Sequence, residues 1–162
     1  MNLSTAPPTP VLKLLTDGML GRLTRWLRAL GYDTVYAPDT DDDELLRRAR
    51  AQDRVLLTTD HALAMRRGAR TFLIETQDLA SQLREVRAAL GPPPDAEFSR
   101  CLACNSKLTP VDKATLTDRV PPYILVTRQE FRRCPDCGRI YWPGTHVERM
   151  KQVINAQSTG GS

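Results

Sequence analysis

Apolar and polar residues follow one another in regular blocks along the first 90 positions of the chain. The run VLKLLT at 11–16 has the length and composition of a buried strand. The stretch after it spaces its apolar side chains three and four positions apart, which is typical of a helix with one buried face. Asp17 stands where a helix N-cap belongs, and Gly31 stands where a terminating glycine belongs. The pattern therefore predicts a strand followed by a helix.

The same alternation repeats three more times. Further strands are predicted at 34–37, 54–59 and 71–75, and further helices at Asp42–Gln52, His61–Arg67 and Asp78–Leu90. Strands that alternate with helices at this spacing build βαβ units, in which the strands lie parallel and helices cover the sheet. Residues 11–90 are therefore predicted to fold as a parallel-sheet α/β/α sandwich.

The segment GPPPD at 91–95 ends this alternation, because consecutive prolines stiffen the chain and do not continue a helix. Beyond it the chain turns to short segments rich in β-branched and aromatic residues, at 123–127 and 139–142. These features predict a domain boundary with a small β domain after it. The predicted units beyond residue 90 are a linker at 91–98, the β domain at 99–150 and a tail at 151–162.

All four cysteines stand in two pairs, Cys101 with Cys104 and Cys134 with Cys137, and 29 residues separate the pairs. Two such pairs offer four thiolates to one tetrahedral Zn²⁺. Two disulfides and a redox pair are the alternatives. The gap exceeds the usual spacing of roughly 15–20 residues, so it is predicted to hold an extended hairpin.

The alternatives to zinc are disfavoured by the setting of the cysteines. The start of the chain has no basic segment followed by an apolar one, and no run of about 18 apolar residues occurs, so we expect a cytoplasmic, reducing location. A redox pair would be expected directly after a strand of the sandwich. A domain of about 50 residues also buries too little apolar surface to fold alone, and bound metal compensates for this. Structural zinc is therefore the prediction.

Charge is distributed unevenly along the chain. Residues 1–98 carry 13 Lys and Arg against 14 Asp and Glu, whereas residues 99–162 carry 10 against 5. Four thiolates around one Zn²⁺ add a net charge of about −2 to the second part, which stays basic. A basic excess favours an anionic partner such as nucleic acid, and a solvated basic surface is an equally open interpretation.

Three aspartates stand near the ends of predicted strands. Asp17 follows the first strand, Asp60 follows the third, and Asp42 opens the helix after the second. The carboxyl ends of parallel strands share one edge of a sheet, so these carboxylates are expected to lie close together. Carboxylates so placed require a cation, and their oxygen atoms favour Mg²⁺ or Mn²⁺. The alternative is that all three serve only as helix N-caps.

Several of these segments together resemble the C-terminal RNase domain family of the Mut-7 exonuclease. The segments are DGMLGRLTRWLRALGYDT, DDDELLRRAR, RVLLTTD, the two cysteine pairs and RIYWPGTHVERM. The resemblance implies a PIN-like α/β nuclease domain, an appended zinc ribbon, and acidic residues that bind divalent metal and cleave RNA. In this sequence those acids are Asp17, Asp42 and Asp60, with Asp43 in place of Asp42 if the alignment shifts by one.

The chain departs from the pattern of many PIN-like nucleases, which carry a fourth acid just after the third. Here Asp60 is followed by His61, and Asp78 is the candidate substitute. The main hypothesis is a Mg²⁺- or Mn²⁺-dependent ribonuclease. A non-catalytic RNA- or protein-binding adaptor with the same fold is the first alternative. A phosphate-binding protein that uses helix N-termini is the second, and the sequence has no glycine-rich phosphate loop to favour it.

The candidate RNA contacts are arginines and aromatic residues. The first predicted helix carries a stripe of Arg22, Arg25 and Arg28, and the predicted ribbon carries Arg132, Arg133 and Arg139 together with Tyr141 and Trp142. Arginines contact phosphates and aromatic rings stack on bases. A solvated helix face is the alternative for the stripe, and packing under the ribbon is the alternative for the aromatic pair.

Overall fold

A four-stranded parallel sheet forms the centre of the first part of the chain. The computed structural model describes residues 11–144, 148–149 and 152. The strands lie in the order β2-β1-β3-β4, and all neighbours run parallel. Their bounds are β1 Lys13–Asp17, β2 Asp33–Ala37, β3 Val55–Thr58 and β4 Thr71–Leu73. Because the strands are parallel, their last residues lie along one edge of the sheet, which we call the carboxyl edge.

Helices cover both faces of this sheet, so the central strands β1 and β3 are buried on both sides. Their bounds are α1 Gly21–Leu30, α2 Asp42–Ala51, α3 His61–Ala64 and α4 Leu79–Leu90. Leu14 of β1 packs with α1 and α4, whereas its neighbour Leu15 packs with α2 and α3. Successive strand side chains point to opposite faces, so one apolar run supplies both halves of the core. The predicted α/β/α sandwich is confirmed.

The start of α1 differs from the prediction. Asp17 caps a single 3₁₀ turn, Gly18–Leu20, and α1 begins after that turn. The end of α1 is as predicted, because Gly31 adopts a left-handed conformation with a φ of 106°. A Cβ at Gly31 would also collide with the carbonyl oxygen of Asp95, so both the backbone conformation and the close approach of the linker require glycine.

The caps of the other helices are acidic, but one is displaced by a residue. Asp41, not Asp42, caps α2, and its side chain accepts a hydrogen bond from the Glu44 amide. Asp60 caps α3, which is the alternative role weighed for it, and Asp78, where a helix was predicted to begin, caps α4. The helix predicted at His61–Arg67 is shorter than expected and ends at Ala64.

The linker at 91–98 packs along the end of α1. The Asp95 amide donates to the Gly31 carbonyl at 3.2 Å, and the Phe98 amide donates to the Ala29 carbonyl at 2.8 Å. The buried Tyr32 hydroxyl donates to the Gly91 carbonyl at 2.6 Å. These bonds hold the linker against the sandwich.

The buried hydroxyl of Tyr32 predicts a loss of stability at alkaline pH. Burial raises the pKa of Tyr32 to about 12, although the charge of Arg87 opposes the shift. Tyrosine in the unfolded chain ionises near pH 10. The stabilisation that the neutral Tyr32 hydroxyl gives to the fold is therefore complete below pH 10 and is lost as the pH rises towards 12. The free energy of unfolding of wild type, relative to Tyr32→Phe, should fall by about 1.4 kcal/mol between pH 8 and pH 11. Urea unfolding of both proteins at the two pH values measures this change. The same stability difference between wild type and Tyr32→Phe at pH 8 and pH 11 would contradict the prediction.

The second part of the chain, residues 99–144, is a small antiparallel sheet with a short helix, and we call it the ribbon. The strands β5 Thr109–Pro110, β6 Arg132–Arg133 and β7 Ile140–Tyr141 lie in sequence order. The segment at 123–127 was predicted as a strand, and this is wrong: it lies in helix α5, Pro122–Thr127. The gap between the cysteine pairs is therefore not an extended hairpin.

The helix α5 forms although its β-branched residues favour a strand, because a proline at its start and packing on a small core favour the helix. Pro122 occupies the first turn, where its missing amide hydrogen costs nothing. Ile124 and Leu125 pack against a small core of Leu116, Val120 and Phe131, whereas Tyr123 and Val126 are exposed. In the part of the chain that the structure describes, no helix is long and apolar enough to cross a membrane.

Candidate functional site

The two cysteine pairs form turns with the same backbone geometry. In the first turn the Cys101 amide donates to the Ser106 carbonyl at 2.8 Å, and the Asn105 amide donates to the Cys101 carbonyl at 2.9 Å. The second turn repeats the latter bond from Gly138 to Cys134 at 2.9 Å. Asn105 and Gly138 hold equivalent positions, with φ values of 74° and 78°. Both residue types tolerate this left-handed conformation.

The four sulfur atoms lie close enough to share one metal ion. The Sγ atoms of Cys101 and Cys137 are 3.6 Å apart, and those of Cys104 and Cys134 are 3.2 Å apart. All four Sγ atoms lie within 4.8 Å of one another. A tetrahedral ion with bonds of about 2.3 Å separates its sulfur ligands by about 3.8 Å. The cysteines are therefore positioned to bind a metal ion.

The electrostatics of the cluster favour ionisation at its exposed side. The backbone amide of Arg139 and the guanidinium of the same residue lower the pKa of Cys137 to about 6. Burial raises the pKa of Cys134 to about 11. The pKa of Cys137 is therefore well below that of Cys134, and Arg139 is engaged with Cys137 instead of standing free on the surface.

The first cysteine turn is docked on β2 through buried polar contacts. The Asn105 Oδ1 atom accepts from the Thr34 amide at 3.0 Å, and Asn105 Nδ2 donates to Asp33 Oδ1 at 2.7 Å. Burial raises the pKa of Asp33, but bonds from Asn105 and Arg54 and nearby arginine charge outweigh burial and leave this pKa lowered. Asn105 therefore serves two purposes, since glycine would satisfy the backbone and leave the docking bonds unmade.

Arg28 does not belong to an exposed stripe on α1, and this part of the sequence prediction is wrong. Its side chain is 6 % exposed. The Nε atom donates to the Thr34 carbonyl at 2.9 Å, and Nη1 donates to the Leu102 carbonyl at 2.9 Å. The guanidinium is therefore a buried link between α1, β2 and the first cysteine turn.

Two of the predicted acidic residues lie at the carboxyl edge, Asp17 at the end of β1 and Asp60 two residues beyond the end of β3. Asp17 ends β1, is 8 % exposed, and accepts from the Thr58 hydroxyl at 2.6 Å and from the Met19 amide at 3.0 Å. The Thr58 hydroxyl also accepts from the Asp60 amide at 3.0 Å. Thr58 therefore connects the two aspartates, a positioning role that the sequence analysis missed because threonine is common at strand ends.

The remaining acids are exposed around this edge. Asp42 lies in the first turn of α2, and Asp43 beside it pairs with Arg66. The amide of Ser81 bonds to the Asp78 side chain and lowers the pKa of Asp78, which is occupied as the cap of α4. Over the residues that the structure describes, the cysteines form the one group of three or more His, Cys, Asp or Glu side chains with ligand atoms within 4.8 Å.

Comparison with known families accounts for the combination of these two parts. The family model described as the Mut7-C RNAse domain matches residues 12–154. The chain belongs to this family. No curated protein and no solved structure matches it. The match spans both the sandwich and the cysteine cluster, so the Mut7-C unit includes both, and the resemblance drawn from the sequence is confirmed.

The arginine candidates of this Mut7-C chain fall into separate environments. Arg22 is exposed on α1 and Arg133 is exposed on β6. Arg25 and Arg132 come from different parts of the chain and line the same cavity, together with Tyr141 and Trp142. Of the predicted contacts, the structure therefore brings together two arginines and both aromatic residues.

Proposed function

We propose that this protein is a ribonuclease that uses Mg²⁺ or Mn²⁺ at the carboxyl edge to hydrolyse RNA phosphodiester bonds. The observation that carries the proposal is the placement of Asp17 and Asp60 at the carboxyl ends of adjacent strands in a Mut7-C RNAse domain. Such an ion, when bound, neutralises charge that develops on a phosphate and makes a water molecule more acidic. Carboxylate oxygen atoms are the ligands that these hard cations prefer.

The hydrogen bonds at the edge support this assignment of Asp17 and Asp60. Asp17 is oriented by one bond to each carboxylate oxygen, and each oxygen keeps a lone pair for a cation. Asp60 caps α3 with Oδ1 alone, bonding two amides at 2.8 and 3.1 Å, and its Oδ2 accepts no bond from the described residues. Asp42 is the proposed third ligand, because it is exposed in the first turn of α2, the helix that follows the neighbouring strand β2.

We further propose that Cys101, Cys104, Cys134 and Cys137 hold zinc and take no part in the chemistry. The sulfur donor set, the paired turns and the short Sγ distances fit a closed structural site with no open position. The zinc would hold the ribbon in place against the sandwich, where its basic residues assist RNA binding.

Cleavage of labelled RNA by the zinc-loaded chain is expected to require added Mn²⁺ or Mg²⁺. The test compares reactions with Mn²⁺, with Mg²⁺ and without either, and it omits chelators because these would also remove zinc. Product should appear with the added cations and be absent without them. Binding of RNA without cleavage under all three conditions would instead support the adaptor, and equal cleavage without added cation would overturn the metal dependence.

A further inference from the structure

A cavity of about 780 Å³ lies between α1, α5 and the ribbon sheet. Arg25 of α1, Arg132 of β6, Tyr123 of α5 and Trp142 line it. Ligand sites in proteins commonly have volumes of about 300–1,000 Å³. None of the four cysteines lines the cavity, and neither Asp17 nor Asp60 does, but Leu102 and Tyr141 of its lining adjoin the cysteine cluster.

Arginines supply the polar part of this cavity. Arg25, Arg128 and Arg132 line it, and none of the three forms an ion pair among the residues that the structure describes. The Nε atom of Arg128 is buried and has no hydrogen-bond partner there. Glu97 and Glu130 also line the cavity, so its charge is positive by a small margin. A buried donor without a protein partner is normally satisfied by a water molecule or by a ligand.

Aromatic side chains supply the apolar part. Tyr123 is 68 % exposed at the cavity, although large aromatic side chains are usually more buried. Trp142 is held by a tilted ring contact with Phe131, with centroids 6.1 Å apart. Tyr141 serves as a fixed wall, because its hydroxyl lies 3.1 Å from Cys101 Sγ and accepts from the Leu102 amide.

We propose that this cavity binds an unpaired nucleotide of a single-stranded RNA. Aromatic rings beside arginines match a base that stacks and a phosphate that accepts hydrogen bonds, and a base is free to enter a concave site only when it is unpaired. The proposal rests on the proposed function. In a ribonuclease, the bound RNA would continue from Arg25 to Arg22, which lies three residues nearer to Asp17 along the chain. That step is about 4.5 Å along α1.

The test measures binding of a labelled ten-residue oligouridylate to the full zinc-loaded chain without added Mn²⁺ or Mg²⁺. Tyr123→Ala should weaken binding by about 5- to 100-fold, because stacking on one ring is lost. Arg25→Ala should weaken it by about fivefold and reduce the slope of log affinity against log salt by about 0.7. Both residues are exposed, so folding should be retained. Arg50→Ala is the matched control, because Arg50 is exposed on α2, across the sheet.

A second readout locates the RNA without relying on affinity. The chain has two tryptophans, so Trp26→Phe leaves Trp142 as the only one. The oligouridylate should quench the fluorescence of this variant, and a duplex RNA of equal length should quench it less. Unaltered binding by Tyr123→Ala and Arg25→Ala, or equal quenching by the duplex, would overturn the proposal. Wild type that binds through the cavity yet never cleaves with Mn²⁺ would uphold the cavity and overturn the ribonuclease.

Discussion

Replacement of Cys134 by serine is expected to abolish metal binding and unfold the ribbon. Cys134 is fully buried, and its sulfur is one of four that converge within 4.8 Å. The ribbon core consists of three buried apolar residues with partly buried neighbours, which is too little to replace the metal. Apparent binding free energies of structural zinc reach about 10–16 kcal/mol, so this loss exceeds the stability of most domains. Metal content per chain and far-ultraviolet circular dichroism measure the effect.

The loss should extend into the sandwich along defined contacts. Asn105 and Leu102 lie in the first cysteine turn and bond to the β2 backbone and to Arg28. Without the turn, the buried guanidinium of Arg28 loses one of its acceptors and water reaches its site. Amide hydrogen exchange should therefore accelerate in β2 and the last turn of α1 before it accelerates in β3.

The matched control for Cys134→Ser is Ser106→Ala, which removes a hydroxyl beside Cys104 and leaves all four sulfur atoms. This control should retain one zinc atom per chain and the ribbon structure. Wild-type chain with no metal and two disulfides by mass, or Cys134→Ser with unchanged zinc content, would contradict the structural zinc site.

Asp60→Asn is expected to reduce RNA cleavage by orders of magnitude and leave the fold intact. Asp60 Oδ1 caps α3, and asparagine keeps an oxygen in that place, so the cap should change by less than about 1 kcal/mol. The substitution removes a negative charge next to Asp17 and weakens the proposed cation site. Melting temperatures should be similar without Mn²⁺, and Mn²⁺ should stabilise wild type more than the variant.

Asp112→Asn is the matched control for this substitution. Asp112 also caps a short helix through its side chain, and that helix, Lys113–Thr115, lies in the ribbon. The loss of a cap alone should lower the stability of either variant by a similar small amount. Cleavage by Asp112→Asn should equal that of wild type.

The periodicity of the sequence predicted the sandwich because the signals there are local. The alternation of strands and helices, the cap at Asp60 and the glycine at Gly31 each depend on neighbouring positions and on the run of apolar residues. The cysteine spacing predicted the two matching turns for the same reason, since a two-residue gap is a property of one turn. These predictions needed no knowledge of the tertiary arrangement.

Features that depend on distant contacts were not predictable in the same way. The segment at 123–127 has the composition of a strand, and packing on Phe131 with a proline start makes it a helix. Arg28 is spaced three residues from Arg25, which is exposed, so the spacing predicted an exposed side chain. Arg28 is buried because the first cysteine turn docks over it. The docking bonds of Asn105 depend on β2, because its partner Thr34 lies 71 residues earlier in the chain.

The measurement that tests the central claim most directly is Mn²⁺-dependent cleavage by wild type and Asp60→Asn, with binding of the same RNA measured alongside. The account predicts that the variant binds RNA as wild type does, keeps its fold, and cleaves slower by orders of magnitude at every Mn²⁺ concentration tested. Cleavage by Asp60→Asn at the wild-type rate would contradict the account, because Asp60 would then be a helix cap and no part of a catalytic site.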